Sequence, residues 1–110
     1  MTIYNSGEVI LLLFPFVDTK EMKRRPALVL LDTKDEDIIV ARITSQITQT
    51  AFDVLLIDWQ KAGLLLPSIV RMHKIATIEK RFIERKLGNL THNDWLQVQS
   101  KIKQLWSLIL

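Results

Sequence analysis

Short apolar runs separated by short polar stretches fill the chain as far as residue 78, and beyond residue 91 apolar residues recur every third or fourth position. Residues 9–14 are a continuous apolar run beside Pro15, the pattern of a strand buried on both faces. Residues 18–24 are polar, hold neither proline nor glycine, and read as a loop. Residues 26–31 form a second apolar run, with Pro26 suited to its first position. A charged turn at 32–37 leads to a β-branched third strand at 38–43, and residues 52–57 read as a fourth. Residues 59–62 suit one helical turn, stopped by Gly63 in the left-handed conformation. Residues 68–72 and 74–78 read as two further strands or one bent strand. Short strands joined by short turns predict a closed or half-closed antiparallel barrel.

The last segment has a different period. Thr91 followed by Asp94 resembles a capping box, with Asp in the position usually taken by Glu. Trp95, Val98, Ile102, Leu105, Trp106 and Ile109 then trace the apolar stripe of a helix, read as core or as a dimer seam. The expected fold is mainly β with helices: a small antiparallel barrel closed by a C-terminal helix, one domain over residues 1–110.

Composition narrows the functional classes. A chain of 110 residues with 48% apolar side chains fits one domain with a real core. It has no cysteine, which excludes a disulfide framework, a thiol nucleophile and a cysteine zinc site. The longest apolar run, residues 9–17, is broken by Pro15 and falls well short of the roughly 20 residues a membrane helix needs. No basic side chain precedes it in residues 2–6, so no signal peptide and no membrane are expected, and the location expected is cytoplasmic. The net charge of +3 is unevenly spread. Residues 18–25 carry four basic and two acidic groups, and residues 71–86 carry six and two, whereas residues 32–37 carry four acids and one lysine. Two basic stretches suit a polyanionic partner, and on charge alone they equally suit a solvated surface.

The candidate chemistry is bounded by what is missing. With only Gly7, Gly63 and Gly88 there is no glycine-rich phosphate loop. His73 and His92 have no carboxylate at metal-ligand spacing, and nothing in the sequence brings them together as an acid–base pair, so both read as surface or cap residues. Neither a metal nor a cofactor is expected. Two segments remain. In Arg24-Arg25-Pro26-Ala27-Leu28-Val29-Leu30 a permanent cation stands before a rigid proline, with a fork of donors matched to phosphate oxygens. Ile43-Thr44-Ser45-Gln46 puts two hydroxyls and an amide at a strand end. On pattern alone they read as a surface arginine and a polar strand end.

Together, however, these segments resemble the MazF/PemK toxin family. Gly7-Glu8-Val9-Ile10 is similar to its opening strand, and Phe14-Pro15-Phe16 to a step found in its PemK-like branch. Arg25-Pro26-Ala27-Leu28-Val29-Leu30 is similar to its arginine–proline strand, and Ile43-Thr44-Ser45-Gln46 to its isoleucine-threonine-x-glutamine strand end. Pro67-Ser68-Ile69-Val70-Arg71 and Lys74-Ile75-Ala76-Thr77-Ile78-Glu79-Lys80 resemble its late strands. The order and spacing of these segments, over roughly the first 80 residues, carry the resemblance. The glycines that many members have in the loop between the first two strands are absent from residues 18–24.

The resemblance implies an SH3-like barrel, usually homodimeric, that cleaves single-stranded RNA selectively by sequence and is neutralised by a cognate antitoxin. It carries the catalytic roles to Arg25 and Thr44, as an endoribonuclease without metal or cofactor. Arg25 would stabilise charge on the phosphate, and Thr44 would hydrogen-bond the phosphate or orient the 2′-hydroxyl. Ser45 and Gln46 are expected to position the RNA backbone, with Lys20, Lys23, Arg24, Lys80 and Arg81 as further RNA-binding cations. The alternatives are a non-catalytic protein-binding toxin of the gyrase-poison type and an inactive descendant that binds RNA or antitoxin.

Overall fold

In the computed structural model, which describes residues 2–15, 22–47 and 49–110, the apolar runs become strands. They are β1 (Glu8–Pro15), β2 (Met22–Asp32), β3 (Asp37–Thr44), β4 (Asp53–Leu55), β5 (Ile69–Glu79) and β6 (Ile83–Asn89), followed by the helix α1 (His92–Ile109). A 3-10 turn, Lys80–Phe82, links β5 to β6. All pairings are antiparallel, in the order β4-β5-β3-β2-β1-β6.

The central strands are buried on both faces, as the continuous apolar runs predict. Val9, Leu28, Ala41 and Ile43 enter one core cluster with Val70, Met72 and Val98. Their neighbours Ile10, Ala27, Val29 and Val40 enter a second cluster on the opposite face. Ile78 of β5 and Ile83 of β6 both pack on that second cluster, although their strands lie far apart in the sheet order. The sheet must therefore curl to bring them together. Its ends, β4 and β6, are not hydrogen-bonded to each other, so the architecture is the half-closed form of the expected barrel, with α1 packed on β4 and β5.

Three local readings change, and one open alternative is settled. Met22, Lys23 and Arg24 belong to β2, paired with Pro15, Phe14 and Leu13, because backbone hydrogen bonds to β1 outweigh their polar character. The rest of the expected loop lies outside the described residues. Pro26 is consequently inside β2, opposite Leu11, and not at its start. The two late segments are one strand, β5, bent where Ala41 pairs with Ile75 but Arg42 pairs with Arg71, leaving Met72, His73 and Lys74 unmatched. β6 corresponds to no expected strand. Its charged Glu84, Arg85 and Lys86 conceal it, and charge of this kind suits an exposed sheet edge.

The predicted helical turn forms and ends as a Schellman motif: the Leu64 amide donates to the Trp59 carbonyl (3.1 Å) and the Gly63 amide to that of Gln60 (3.1 Å). Gly63 has φ +83°, and a Cβ there would stand 2.2 Å from the Leu87 carbonyl oxygen of β6. A Cβ on Gly88 would meet the Ala62 carbonyl oxygen at 2.6 Å. The turn and β6 thus approach backbone to backbone. Asp94 holds the turn from below. Its carboxylate is fully buried and accepts from the amides of Ile57 (3.0 Å) and Asp58 (2.9 Å), where a capping box would have it reach back to its own cap. Thr91 does cap α1, accepting from the Asp94 amide, and its hydroxyl donates to Asp58 (2.9 Å).

Only the first part of the α1 stripe is core. Val98 is buried and Trp95, Ile102 and Leu105 are partly buried, whereas Trp106 (54%) and Ile109 (65%) are exposed. No helix among the described residues is long and apolar enough to cross a membrane. At the other end of the sheet, Asp32 accepts from the amides of Tyr4 (2.8 Å) and Lys34 (2.7 Å) and from the Lys80 ammonium (2.8 Å).

Two outcomes follow. Asp94→Ala leaves two inward amides without their acceptor, and urea unfolding should show a loss of roughly 2–4 kcal/mol. An unchanged midpoint would contradict the role given to Asp94. Burial pushes the Asp32 carboxyl up, but the hydrogen bonds and charge of Lys80 and the two amides outweigh it and hold the carboxyl down at about 2. Its unfolded value lies near 4, so this stabilisation is complete above that pH and is lost as pH falls towards 2. Acid titration of stability should be shallower for Asp32→Asn between about pH 4 and 2; equal slopes would contradict the tether.

Candidate functional site

β2 and β3 pair as far as Ala27 and Arg42 and then part. One more step in that register would set Pro26 against Ile43, and the next would set Arg25 against Thr44. No ladder forms there, and a groove of about 640 Å³ opens instead. Pro26 stands where the strands separate and has no amide hydrogen to give to a ladder. Arg24, Arg25, Pro26, Thr44, Ser45 and Gln46 all line the groove, so the two segments singled out in the sequence meet at one place. Leu64, Leu65 and Leu66, which follow the glycine-stopped turn, and Leu87 of β6 form an apolar wall.

The cations along this groove are not equivalent. Arg24 forms a forked ion pair with Glu84 on β6, at 2.8 and 3.1 Å. The hydrogen bonds, and then the charge, of each partner raise the Arg24 pKa and lower that of Glu84. Arg25 is exposed, and its guanidinium forms no ion pair or hydrogen bond with any described residue. Thr44 is half-buried, and its hydroxyl oxygen accepts from the Gln46 amide (3.1 Å), which turns the chain at the strand end. Ser45 and Gln46 are exposed. The Gln46 carbonyl accepts from Arg71 (3.4 Å), itself held by the buried Asp53 at 3.0 Å. A second hollow of about 450 Å³, floored by Leu12, Ala27, Val40 and Ile78, lies on the other side of Arg25 and Arg42, which line both.

Other expected cations fall elsewhere. Lys80 lines neither hollow; its ammonium is spent on Asp32 and on the Thr2 carbonyl (3.2 Å). Arg81 also lies off both hollows, paired with Glu79 and stacked on the Phe82 ring at 4.7 Å. Lys23 is exposed on β2 and outside both linings, and Lys20 lies outside the described residues. Arg42, Arg85 and the leucine wall went unread in the sequence. Arg42 had a signal as the lone cation of β3, and Arg85 only as a member of the basic stretch 71–86. His73 faces Phe52 (5.9 Å between ring centres) and His92 starts α1, so they sit on separate elements. No three His, Asp or Glu side chains gather as metal ligands among the described residues.

Chemically, this is an open groove with guanidinium groups, hydroxyls and an apolar wall, suited to a phosphate-bearing chain. Solved structures share the fold. A MazE–MazF structure from Deinococcus radiodurans has a TM-score of 0.77 at 21% identity, covering 96% of this chain and 98% of that one. The toxin MazF-mt6 of Mycobacterium tuberculosis has 0.73 at 23%, covering 91% and 96%. A mycobacterial endoribonuclease in complex with its cognate antitoxin has 0.74 at 16%, covering 96% and 97%. No curated protein sequence matches the chain significantly. The family model of the PemK-like, MazF-like toxins of type II toxin–antitoxin systems, however, matches residues 5–106, nearly the whole length, and the chain belongs to that family.

Proposed function

We propose that this toxin is an endoribonuclease that cleaves single-stranded RNA at selected sequences by attack of the RNA's own 2′-hydroxyl. The observation that carries the reading is the facing of Arg25 and Thr44 across the slot where β2 and β3 part, with Arg25 unpaired among the described residues. RNA supplies the nucleophile beside the scissile phosphate, so the protein has to hold the chain in line and stabilise the extra negative charge. Arg25 serves as that cation, and being permanently protonated it is no general base. Thr44 hydrogen-bonds the phosphate or orients the 2′-hydroxyl, and Ser45 and Gln46 position the backbone. The reaction needs no metal, because no external water has to be activated. Unpaired RNA is the substrate because its base edges are open to reading.

The relatives solved with antitoxins support a cognate antitoxin as partner. Its acidic segment, disordered when free, would lie in the same basic groove. The exposed Trp106, Leu108 and Ile109 of α1 support a homodimer, which leaving these side chains in water disfavours as a monomer.

Arg25→Ala and Thr44→Val should each lower the cleavage rate by about 10²–10³ while the protein stays folded. Arg24→Ala should do far less, since Glu84 already engages that guanidinium. Full activity of Arg25→Ala would refute the assignment. Product analysis tests the chemistry itself. The upstream fragment should end in a 2′,3′-cyclic phosphate and the downstream one in a free 5′-hydroxyl, with excess chelator present. A single deoxynucleotide 5′ of the cut should bind and resist cleavage; a 5′-phosphate product from it would mean attack by water.

A further inference from the structure

We infer that Arg42 holds the RNA phosphate next to the one that is cleaved, an inference that rests on the nuclease reading above. The argument begins with the strand. Along β3, Ile38 and Val40 point into the second core cluster and are 0% and 4% exposed. The next residue on that face is Arg42, which is exposed, and the one after is Thr44. A period of two therefore carries an apolar stripe to the edge of the core and ends it in a cation and a hydroxyl.

What lies beside Arg42 does not account for a cation. Across the sheet its row reads Ala27 on β2, Arg42, Arg71 on β5 and Asp53 on β4. Ala27 offers no charge. Arg71 is a like charge directly opposite, which is unfavourable. The one carboxylate in the row, Asp53, is bound to Arg71 at 3.0 Å, so Arg71 is compensated and Arg42 is not. The Arg42 guanidinium has no ion pair or hydrogen bond with any described residue. An arginine that replaces an apolar residue, faces a like charge and whose guanidinium engages no described residue is placed for a ligand.

The ligand's geometry follows from the strand. Arg42 and Thr44 are two residues apart on one face, about 7 Å. Consecutive phosphates of an extended single strand are spaced on that scale. With the scissile phosphate between Arg25 and Thr44, its neighbour falls at Arg42, on the rim shared by the two hollows. Arg42 is then a substrate-positioning residue that adds affinity without touching the reacting atoms.

The test uses the full chain with Arg42→Gln and Arg42→Lys, and Lys103→Gln on the exposed side of α1 as the control for loss of any one positive charge. Cleavage kinetics are measured on a single-stranded RNA oligonucleotide, and equilibrium binding on the same oligonucleotide with one deoxynucleotide at the cut. For Arg42→Gln, KM should rise about tenfold while kcat stays within threefold. Its plot of log affinity against log salt should flatten by about 0.7, one lost phosphate contact on a single strand. Arg42→Lys should keep the wild-type slope, and Lys103→Gln should change neither readout. Thermal melts show whether each variant is folded, and if Arg42→Gln is not, Arg42→Lys against Arg42→Met decides. Wild-type KM and salt slope in the uncharged variant overturn the inference and leave the nuclease reading standing. A collapse of kcat at unchanged KM also overturns it, by moving Arg42 onto the cleaved phosphate. If the wild type neither binds nor cuts RNA, the nuclease reading fails and takes this one with it.

Discussion

β2 keeps its hydrogen-bonded neighbour on one side through Met22 and loses the neighbour on the other side at Ala27. The groove, its charge and its substrate class all depend on that unequal pairing. A strand edge left open forgoes ladder hydrogen bonds and would ordinarily invite another strand. Here Pro26 blunts it, because a proline cannot donate to a ladder, and two consecutive arginines precede it. The cost is carried by burial on both faces just downstream, where Ala27, Leu28 and Val29 are each 2% exposed or less. The same strand thus passes from the rim of the groove into the packed core within two residues.

The opposite wall is set by a different device. Asp94 belongs to α1, yet it bonds the two amides that begin the turn leading to Leu64, Leu65 and Leu66. The N-terminus of the helix is therefore tied directly to the turn from which the apolar wall extends. Through Thr91 and Asp58 the cap of the helix is tied to the same turn. Helix capping and groove shape, two properties usually argued separately, share one set of hydrogen bonds here.

Much of this was legible in the sequence. The doubly buried strands declared themselves as uninterrupted apolar runs, the helix by its stripe and its Thr91 cap, and the turn by Gly63. Arg25 and Thr44 could be singled out by residue type and by family resemblance. That they line one groove could not be read, because this requires the register between β2 and β3, which no local pattern encodes. Lys80 shows the reverse failure. Its position in a basic stretch suggested an RNA contact, but Asp32, remote in sequence and buried, claims its ammonium. β6 escaped notice because Ile83 and Leu87 are too few and too widely spaced to mark a strand among charges. Asp94 was read as a cap partner, whereas the amide donors its carboxylate serves lie in another segment, a relation visible only after folding.

The contact between the turn and β6, where Gly63 and Gly88 admit no methyl group, has a bearing on how such a groove can change. Its depth is written in main chain and cannot drift by small steps, since the first carbon added at either glycine collides with a carbonyl. The surface it offers is another matter. Leu65 and Leu66 are 92% and 58% exposed, so their replacement sacrifices little packing. A frame that resists alteration thus presents a face that accepts it, and the character of the groove wall can be rewritten without rebuilding the scaffold beneath.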